Sequence, residues 1–178
     1  MIGRRPRHLA ATSILLMAVL ATVTQAPPAV AGSPGPAADV YAKRASSPTF
    51  TGQDVYNLDG SGQTVVARTK RGRSVRFRVC VQNDAGATFD HELTSGGDGG
   101  GFVVTWTDYL DQPITDQTIQ VGYPAGNLDF GEESCINVRI KASAATQSGD
   151  KRTWQILGSV PGWGDIGIDV ARIRVRVR

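Results

Sequence analysis

Few residues in this chain could carry acid–base or nucleophilic chemistry. His91 stands between Asp90 and Glu92 and could serve as a pH-sensitive group or a general base. No Gly-x-Ser-x-Gly pattern supplies a nucleophile beside it. Asp90 and Glu92 are two residues apart and share a strand face, so a hydrolase that uses them as acid and base is conceivable, although nothing in the spacing places them across a cleft. We therefore predict a protein that is not an enzyme and assign no catalytic residue.

Metal ligands are also sparse. Two cysteines and one histidine outside the leader are too few for a structural zinc site. Acidic loops offer oxygen ligands for calcium, but their spacing matches no motif, and an EF-hand register near Asn57 would put valines at ligand positions. The loop candidates are Asp108, Asp111 and Asp116, and Asp129, Glu132 and Glu133. The sequence predicts no metal and no cofactor.

The binding candidates are exposed aromatic and basic residues. Trp163 lies in a Pro-Gly-Trp-Gly-Asp turn, and Tyr109 and Tyr123 lie beside turn residues, so these rings could stack on sugars or on a partner's apolar surface. Alternatively, Trp163 folds back over one end of the domain. A second candidate surface is formed by the arginines of the last predicted strand, which alternate with apolar residues. The alternative is that these charges only protect an edge strand from pairing with another chain. It comprises Arg172, Arg174 and Arg176.

Charge is segregated along the chain. The formal net charge is +3, but three arginines lie in an N-terminal leader, which leaves 16 basic and 16 acidic residues after it. Bulk positive charge therefore gives no reason to expect nucleic-acid binding. Residues 79–138 contain ten acidic and no basic residues, whereas each flank, 39–78 and 139–178, has eight basic and three acidic ones. One interpretation of this pattern is self-association or docking on a charged polymer; the alternative is that the opposite charges pair within the fold and stay solvated.

The chain begins like an exported protein. Basic residues precede an apolar run at 9–23, and Ala29, Val30 and Ala31 fit a small-residue cleavage site. An uncleaved anchor is the alternative, but the run is shorter than the roughly 20 residues of a membrane span. We predict a signal peptide at 1–31, a Gly/Pro-rich linker at 32–38 and one domain at 39–178, secreted and extracellular, without a membrane span after cleavage.

The domain is predicted to be all-β. Period-two runs rich in Val, Ile, Thr and aromatic residues alternate with Gly, Pro, Asn and Asp clusters. Seven to nine short antiparallel strands in this length favour an immunoglobulin-like β-sandwich. The predicted strands are 40–43, 63–70, 74–82, 87–94, 102–107, 117–121, 134–142, 152–159 and 167–177. The glycine-rich stretch 96–101 is predicted to be a long, mobile hairpin connection.

The two cysteines are predicted to form a structural disulfide. Cys80 lies in the polar phase of one strand, opposite to Val79 and Val81, and Cys135 lies in the polar phase of another. A bridge between two sheets would need both cysteines in the core phase, so a cross-strand link on the outer face of one sheet is favoured. In an oxidising compartment such a bridge is stable; two free thiols are the alternative.

Several segments resemble the immunoglobulin-like repeats of secreted bacterial proteins, in the CARDB-like, cell-adhesion-related group. They are residues 50–57 (FTGQDVYN), 71–77 (RGRSVRF), 79–84 (VCVQND), 101–104 (GFVV) and 136–140 (INVRI). The resemblance covers 40–177 and implies a β-sandwich that acts as a spacer or a binding surface, with no catalytic residues.

These observations together predict a secreted, non-catalytic module that binds or bridges at the cell envelope or in the extracellular matrix. The partner would be a protein or an envelope polymer, or a second copy of the chain. The alternative is a carbohydrate-binding module that uses its exposed aromatic loops.

Overall fold

The computed structural model describes residues 37–97, 99–164 and 168–178. The predicted leader, residues 32–36 of the predicted linker, Asp98, Asp165 and the predicted strand start at Gly167 lie outside this part. Within it the chain forms ten strands and one helix: β1 Ala38–Arg44, β2 Thr64–Thr69, β3 Ser74–Asn83, β4 Phe89–Ser95, β5 Phe102–Thr107, β6 Pro113–Ile114, α1 Asp116–Val121, β7 Tyr123–Leu128, β8 Glu133–Ala142, β9 Lys151–Ser159 and β10 Asp169–Val177.

The strands form two sheets of five. Sheet A has the order β1-β3-β8-β5-β6, and sheet B has the order β2-β10-β9-β4-β7. With β1, β3, β5 and β8 taken as strands A, B, D and E, and β4, β9 and β10 as C, F and G, both orders match an immunoglobulin-like sandwich. β2 pairs with β10 in parallel, and the other described strand pairs are antiparallel. The predicted all-β sandwich is confirmed.

Side-chain alternation places the core between the sheets. In β3 and β8 every second residue is buried against the opposite sheet, as the sequence pattern predicts. Trp106 from sheet A and Trp154 from sheet B are both buried, and the Trp154 ring meets Phe102 edge-on at 5.7 Å between ring centroids. The β3 and β8 members of the core are Phe77, Val79, Val81, Ile136, Val138 and Ile140.

One glycine permits close approach of the two sheets. Gly158 of β9 faces β1, and a Cβ atom built at this position would lie 2.1 Å from Val40 Cγ2 and 3.2 Å from Val81 Cγ2. A side chain there would overlap these valines of sheet A, so only glycine fits without a shift of its neighbours.

The predicted cross-strand disulfide is present. Cys80 of β3 and Cys135 of β8 are direct partners in the antiparallel register and are bonded to each other. Both point to the outer face of sheet A, as their strand phase predicts. The same register places Arg76 opposite Arg139.

This outer face is covered at the disulfide. Tyr41 and Phe50 pack on the bridge with their ring centroids 5.0 Å apart in an edge-to-face arrangement, so Cys80 is fully buried. The Tyr41 hydroxyl donates to Glu133, and the Lys43 ammonium lies 4.2 Å from the Phe50 centroid. The sequence predicted a bridge on the outer face of one sheet; its cover there comes from Tyr41 of β1 and from Phe50, which follows β1.

The predicted strand at 117–121 is wrong. The segment forms helix α1, because Thr115 caps it by accepting a hydrogen bond from the Thr118 backbone N–H, and Asp116 in the first turn favours the helix dipole. Ile119 anchors the helix in the core. β7 was missed because it contains Pro124 and a glycine, which a strand tolerates at the edge of a sheet.

The glycine-rich stretch after β4 is not a hairpin connection. β4 belongs to sheet B and β5 to sheet A, so this stretch crosses from one sheet to the other. Its Gly97 carbonyl accepts hydrogen bonds from Arg152 Nη2 and from the Trp154 indole, each at 3.2 Å.

Across the described ranges, no helix has the length and apolar character needed to cross a bilayer.

Candidate functional site

The arginines of β10 form the centre of a basic surface on sheet B. Ile173, Val175 and Val177 are buried in the core, which leaves the alternating arginines on the outer face of the sheet. Arg174 and Arg176 are exposed, and Arg172 is half-buried. This is the placement that the alternation in the sequence predicts.

Neighbouring strands add further cations to the same face. In the register of sheet B, Arg176 lies directly between Arg68 of β2 and Lys151 of β9, and all three side chains are exposed. Adjacent strands are about 4.8 Å apart, so three positive charges stand abreast within roughly 10 Å. We call Arg68, Lys151, Arg172, Arg174 and Arg176 the basic face.

The arginines of β10 do not serve to protect a sheet edge from pairing with another chain. β10 is bonded to β2 on one side and to β9 on the other, so it is an interior strand of sheet B. Like charges placed directly opposite each other on neighbouring strands destabilise a sheet. Repulsion within the row of Arg68, Arg176 and Lys151 therefore lowers the stability of the sheet. Protection of a sheet edge does not account for this loss, because β10 is not at an edge.

A shallow groove continues the basic face toward the glycine-rich crossing. It has a volume of about 840 Å³, and three arginines line it together with Gln120 and Gln155. Arg174 Nε donates to Thr153 Oγ1 at 3.1 Å, which orients the guanidinium. The buried Nε of Arg172 has no hydrogen-bond partner. The three arginines are Arg152, Arg172 and Arg174.

The basic residues of β3 do not join this face. Arg76 and Arg78 lie on the outer face of sheet A, where Arg76 is opposite Arg139 in the register. The charge segregation in the sequence therefore folds into two basic areas on opposite sides of the sandwich. Arg139 Nε donates to Ser74 Oγ at 3.2 Å.

Trp163 lies at one end of sheet B and is 46% exposed. Its ring meets Phe89 edge-on, with 5.7 Å between the ring centroids. The two rings border a groove of about 620 Å³ that also contains Asp90, Glu92 and Asn127. The arrangement combines an aromatic face with carboxylate and amide groups, which is the chemistry that a sugar ring requires.

The tyrosines do not form one platform with Trp163. Tyr109 is 70% exposed and lines a separate groove with Ala125 and Leu128, whereas the β7 residues beside Trp163 are Pro124, Gly126 and Asn127. Tyr123 is half-buried and packs against the core. Burial raises the pKa of the Tyr123 phenol, and the charge of Asp108 adds to this effect.

His91 points into the sandwich, away from Asp90 and Glu92. It is buried, and its Nδ1 lies 2.9 Å from the Phe89 carbonyl oxygen, which assigns the proton to Nδ1. Burial lowers the pKa of the imidazole, so the ring is held neutral. The pairing of β4 with β7 shifts by one residue between His91 and Glu92, and Ala125 of β7 is the residue left without a partner in the register. The structure therefore does not join the three side chains in one catalytic group.

In the two acidic loops considered above as calcium sites, carboxylates accept hydrogen bonds that stabilise the turns. Asp108 accepts hydrogen bonds from the backbone N–H groups of Leu110 and Gln112, each at 2.8 Å. Asp129 accepts from the Thr88 hydroxyl. Within residues 37–97, 99–164 and 168–178, neither loop brings three carboxylates together; the described carboxylates that do converge are Asp39, Asp54 and Asp84.

Sequence reasoning missed Arg68 and Lys151 of the basic face and Arg152 of the adjoining groove. Arg68 had a readable signal, because it alternates with the buried Ala67 in β2. Its position beside Arg176 depends on the parallel pairing of β2 with β10, which joins residues more than 100 positions apart and leaves no local pattern.

Comparisons with known proteins give the fold and no family. No family model matches the sequence, and no curated protein matches it. Among solved structures, the N-terminal domain of PorA matches over 78% of this chain and 97% of its own length, with a TM-score of 0.53 and 14% identity. At this identity the match shows the sandwich architecture alone.

Two further solved structures match with lower TM-scores. The CARDB domain of a Pyrococcus furiosus protein, solved with di-metal ions, matches over 80% of this chain and 89% of its own, with a TM-score of 0.40 and 11% identity. A family 123 glycoside hydrolase from Clostridium perfringens matches over 79% of this chain, with a TM-score of 0.46 and 8% identity, and the present chain spans 27% of its length.

Proposed function

We propose that this protein is a secreted, non-catalytic β-sandwich module that binds an anionic polymer of the cell envelope through the basic face of sheet B. The observation that carries the proposal is the exposed row of Arg68, Arg176 and Lys151 across three hydrogen-bonded strands. The disulfide is compatible with an oxidising compartment outside the cytoplasm.

The row is better suited to an extended ligand than to a small one. Arg172 and Arg176 are four residues apart on the same face, which corresponds to about 14 Å along the strand. A polymer that carries phosphate or carboxylate groups at intervals could contact several of these cations and relieve their mutual repulsion. Guanidinium groups suit such oxyanions because they donate two parallel hydrogen bonds.

Co-sedimentation of the purified protein with washed envelope tests the proposal. We expect the protein to pellet at low salt and to be released by sodium chloride, because exposed charges are screened within about 8 Å at physiological ionic strength. Replacing Arg176, the middle residue of the row, with glutamine should weaken pelleting. Arg78→Gln on sheet A is the matched control and should not. Salt-resistant pelleting, or equal loss in both variants, would contradict the proposal.

A second candidate function follows from Trp163. Its half-exposed ring stands beside Asp90, Glu92 and Asn127, which supports a carbohydrate-binding module with one aromatic subsite. Because Tyr109 lines another groove, this subsite would hold a single sugar ring and bind weakly. Pelleting with neutral insoluble polysaccharides that resists salt and is lost in Trp163→Ala would favour it over the basic face. The control is Tyr109→Ala, which leaves this groove unchanged.

A further inference from the structure

Three carboxylates from separate parts of the chain converge beside the start of β1. Asp39 belongs to β1, Asp54 to the connection from β1 to β2, and Asp84 follows β3. One carboxylate oxygen from each of them lies within 4.8 Å of the other two. Their burial is graded, because Asp39 is buried, Asp84 is intermediate and Asp54 is exposed. The cluster therefore opens to solvent on the Asp54 side.

Asp39 has an unusual environment for a carboxylate. It is 0% exposed, and its Oδ1 atom has no hydrogen-bond partner, whereas Oδ2 accepts from the Asp54 backbone N–H at 2.9 Å. Burial raises the pKa of Asp39 to about 7, and the negative charges of Asp84, Asp169 and Asp54 also raise it. A buried carboxylate oxygen without a partner is costly, so this group needs a compensating ligand.

The neighbouring groups hold the cluster in place without neutralising it. The Tyr56 hydroxyl donates to Asp84 Oδ2, and the Asp84 backbone N–H donates to the Ala37 carbonyl at 3.0 Å. Asp169 is occupied separately, since its two oxygens accept from the backbone N–H groups of Asn57 and Val40. These contacts fix the three carboxylates near one another and leave their charge uncompensated.

We propose that Asp39, Asp54 and Asp84 form a calcium site. Calcium prefers carboxylate oxygens, and three of them that lie within 4.8 Å of one another are close enough to bind one ion. Magnesium usually keeps several of its waters and binds through one or two carboxylates, so three carboxylates suit calcium better. Bound calcium would give the free Asp39 oxygen its partner and tie three distant chain segments together.

Thermal unfolding in metal-free buffer with and without 10 mM calcium chloride tests the site. Calcium sites of extracellular modules have dissociation constants of about 0.1 to 1 mM, so we expect the midpoint temperature to rise by about 5 °C or more. Magnesium chloride should raise it much less. A calcium effect no larger than that of sodium chloride at the same ionic strength would overturn the proposal.

Three variants assign the effect to the cluster. Asp39→Asn and Asp84→Asn keep the side-chain shape and should lose the calcium-dependent rise, whereas the exposed strand residue Asp90→Asn should retain it. In chelator, Asp39→Asn should unfold at or above the parent temperature, because an uncharged amide replaces a buried carboxylate. A calcium response that persists in Asp39→Asn would overturn the proposal.

Terbium luminescence gives a second readout that does not depend on stability. Because Tyr56 is bonded to Asp84, a terbium ion in the cluster would lie close enough to be sensitised by excitation of this phenol. We expect emission that calcium displaces and that Asp84→Asn reduces at least fivefold. Emission of equal strength in the parent and in Asp84→Asn would contradict the assignment.

Discussion

Removing the disulfide should greatly lower the free energy of unfolding of this domain. Cys80 and Cys135 are 55 residues apart in sequence, so the bond restricts a long loop in the unfolded chain. For a loop of about this length, the chain-entropy relation gives a stabilisation of about 4 kcal/mol at 25 °C. This value is a large part of the roughly 5 to 15 kcal/mol by which domains of this kind are stable.

The variant to test is Cys80→Ala with Cys135→Ala, compared with the parent by urea unfolding. Fluorescence of the buried Trp106 and Trp154 reports on the core, which lies on the other face of sheet A from the bridge. We expect the free energy of unfolding to fall by about 4 kcal/mol.

Reductant provides the control for lost packing. The reduced parent keeps both thiols under Tyr41 and Phe50, so it loses the loop closure without the packing, and it should be nearly as unstable as the double variant if loop closure is the main term. Reductant should leave the variant itself unchanged. A loss below about 1 kcal/mol in both the variant and the reduced parent would refute the reasoning from loop closure.

Three further predictions concern single side-chain replacements. Gly158→Ala places a methyl group 2.1 Å from Val40 Cγ2 and should cost about 1 to 3 kcal/mol in urea unfolding; an unchanged midpoint would contradict the close approach of the sheets. Burial lowers the pKa of His91, so its contribution to stability is present above about pH 6.5 and is lost as the pH falls below that value. The raised pKa of Asp39 has the opposite effect on the pH dependence of stability, so the parent must be compared with His91→Asn at each pH. The difference between their free energies of unfolding should become smaller from pH 7 to pH 5. A difference that does not change with pH would contradict this prediction. Thr115→Ala removes the cap of α1 and should cost about 1 kcal/mol, measured by urea unfolding, and no loss would show that the cap is dispensable.

The parts of the fold that could be predicted were the strands in which buried apolar residues alternate strictly with polar ones. β3 and β8 alternate over ten residues each, which sets the phase of every side chain, including both cysteines. β7 and α1 lack such a pattern. β7 is an edge strand with a proline, and α1 has only Ile119 buried, so tertiary contacts rather than local sequence decide their structure.

The candidate sites show the same division between local and long-range information. The arginines of β10 could be assigned to one face because they alternate within a single strand. Their neighbours Arg68 and Lys151 could not be assigned, because strand pairing between distant segments decides which cations stand abreast. Asp39 was missed for the same reason: it reads as one acid among apolar residues until Asp54 and Asp84 are brought to it.

The measurement that tests the central claim most directly is the affinity for washed envelope of two matched triple variants. One replaces Arg172, Arg174 and Arg176 of sheet B with glutamine, and the other replaces the three sheet A residues Arg76, Arg78 and Arg139. We expect the sheet B variant to bind at least about tenfold more weakly than the parent at low salt, and the sheet A variant to bind as the parent does. Equal affinity of the two variants would contradict a binding function of the basic face.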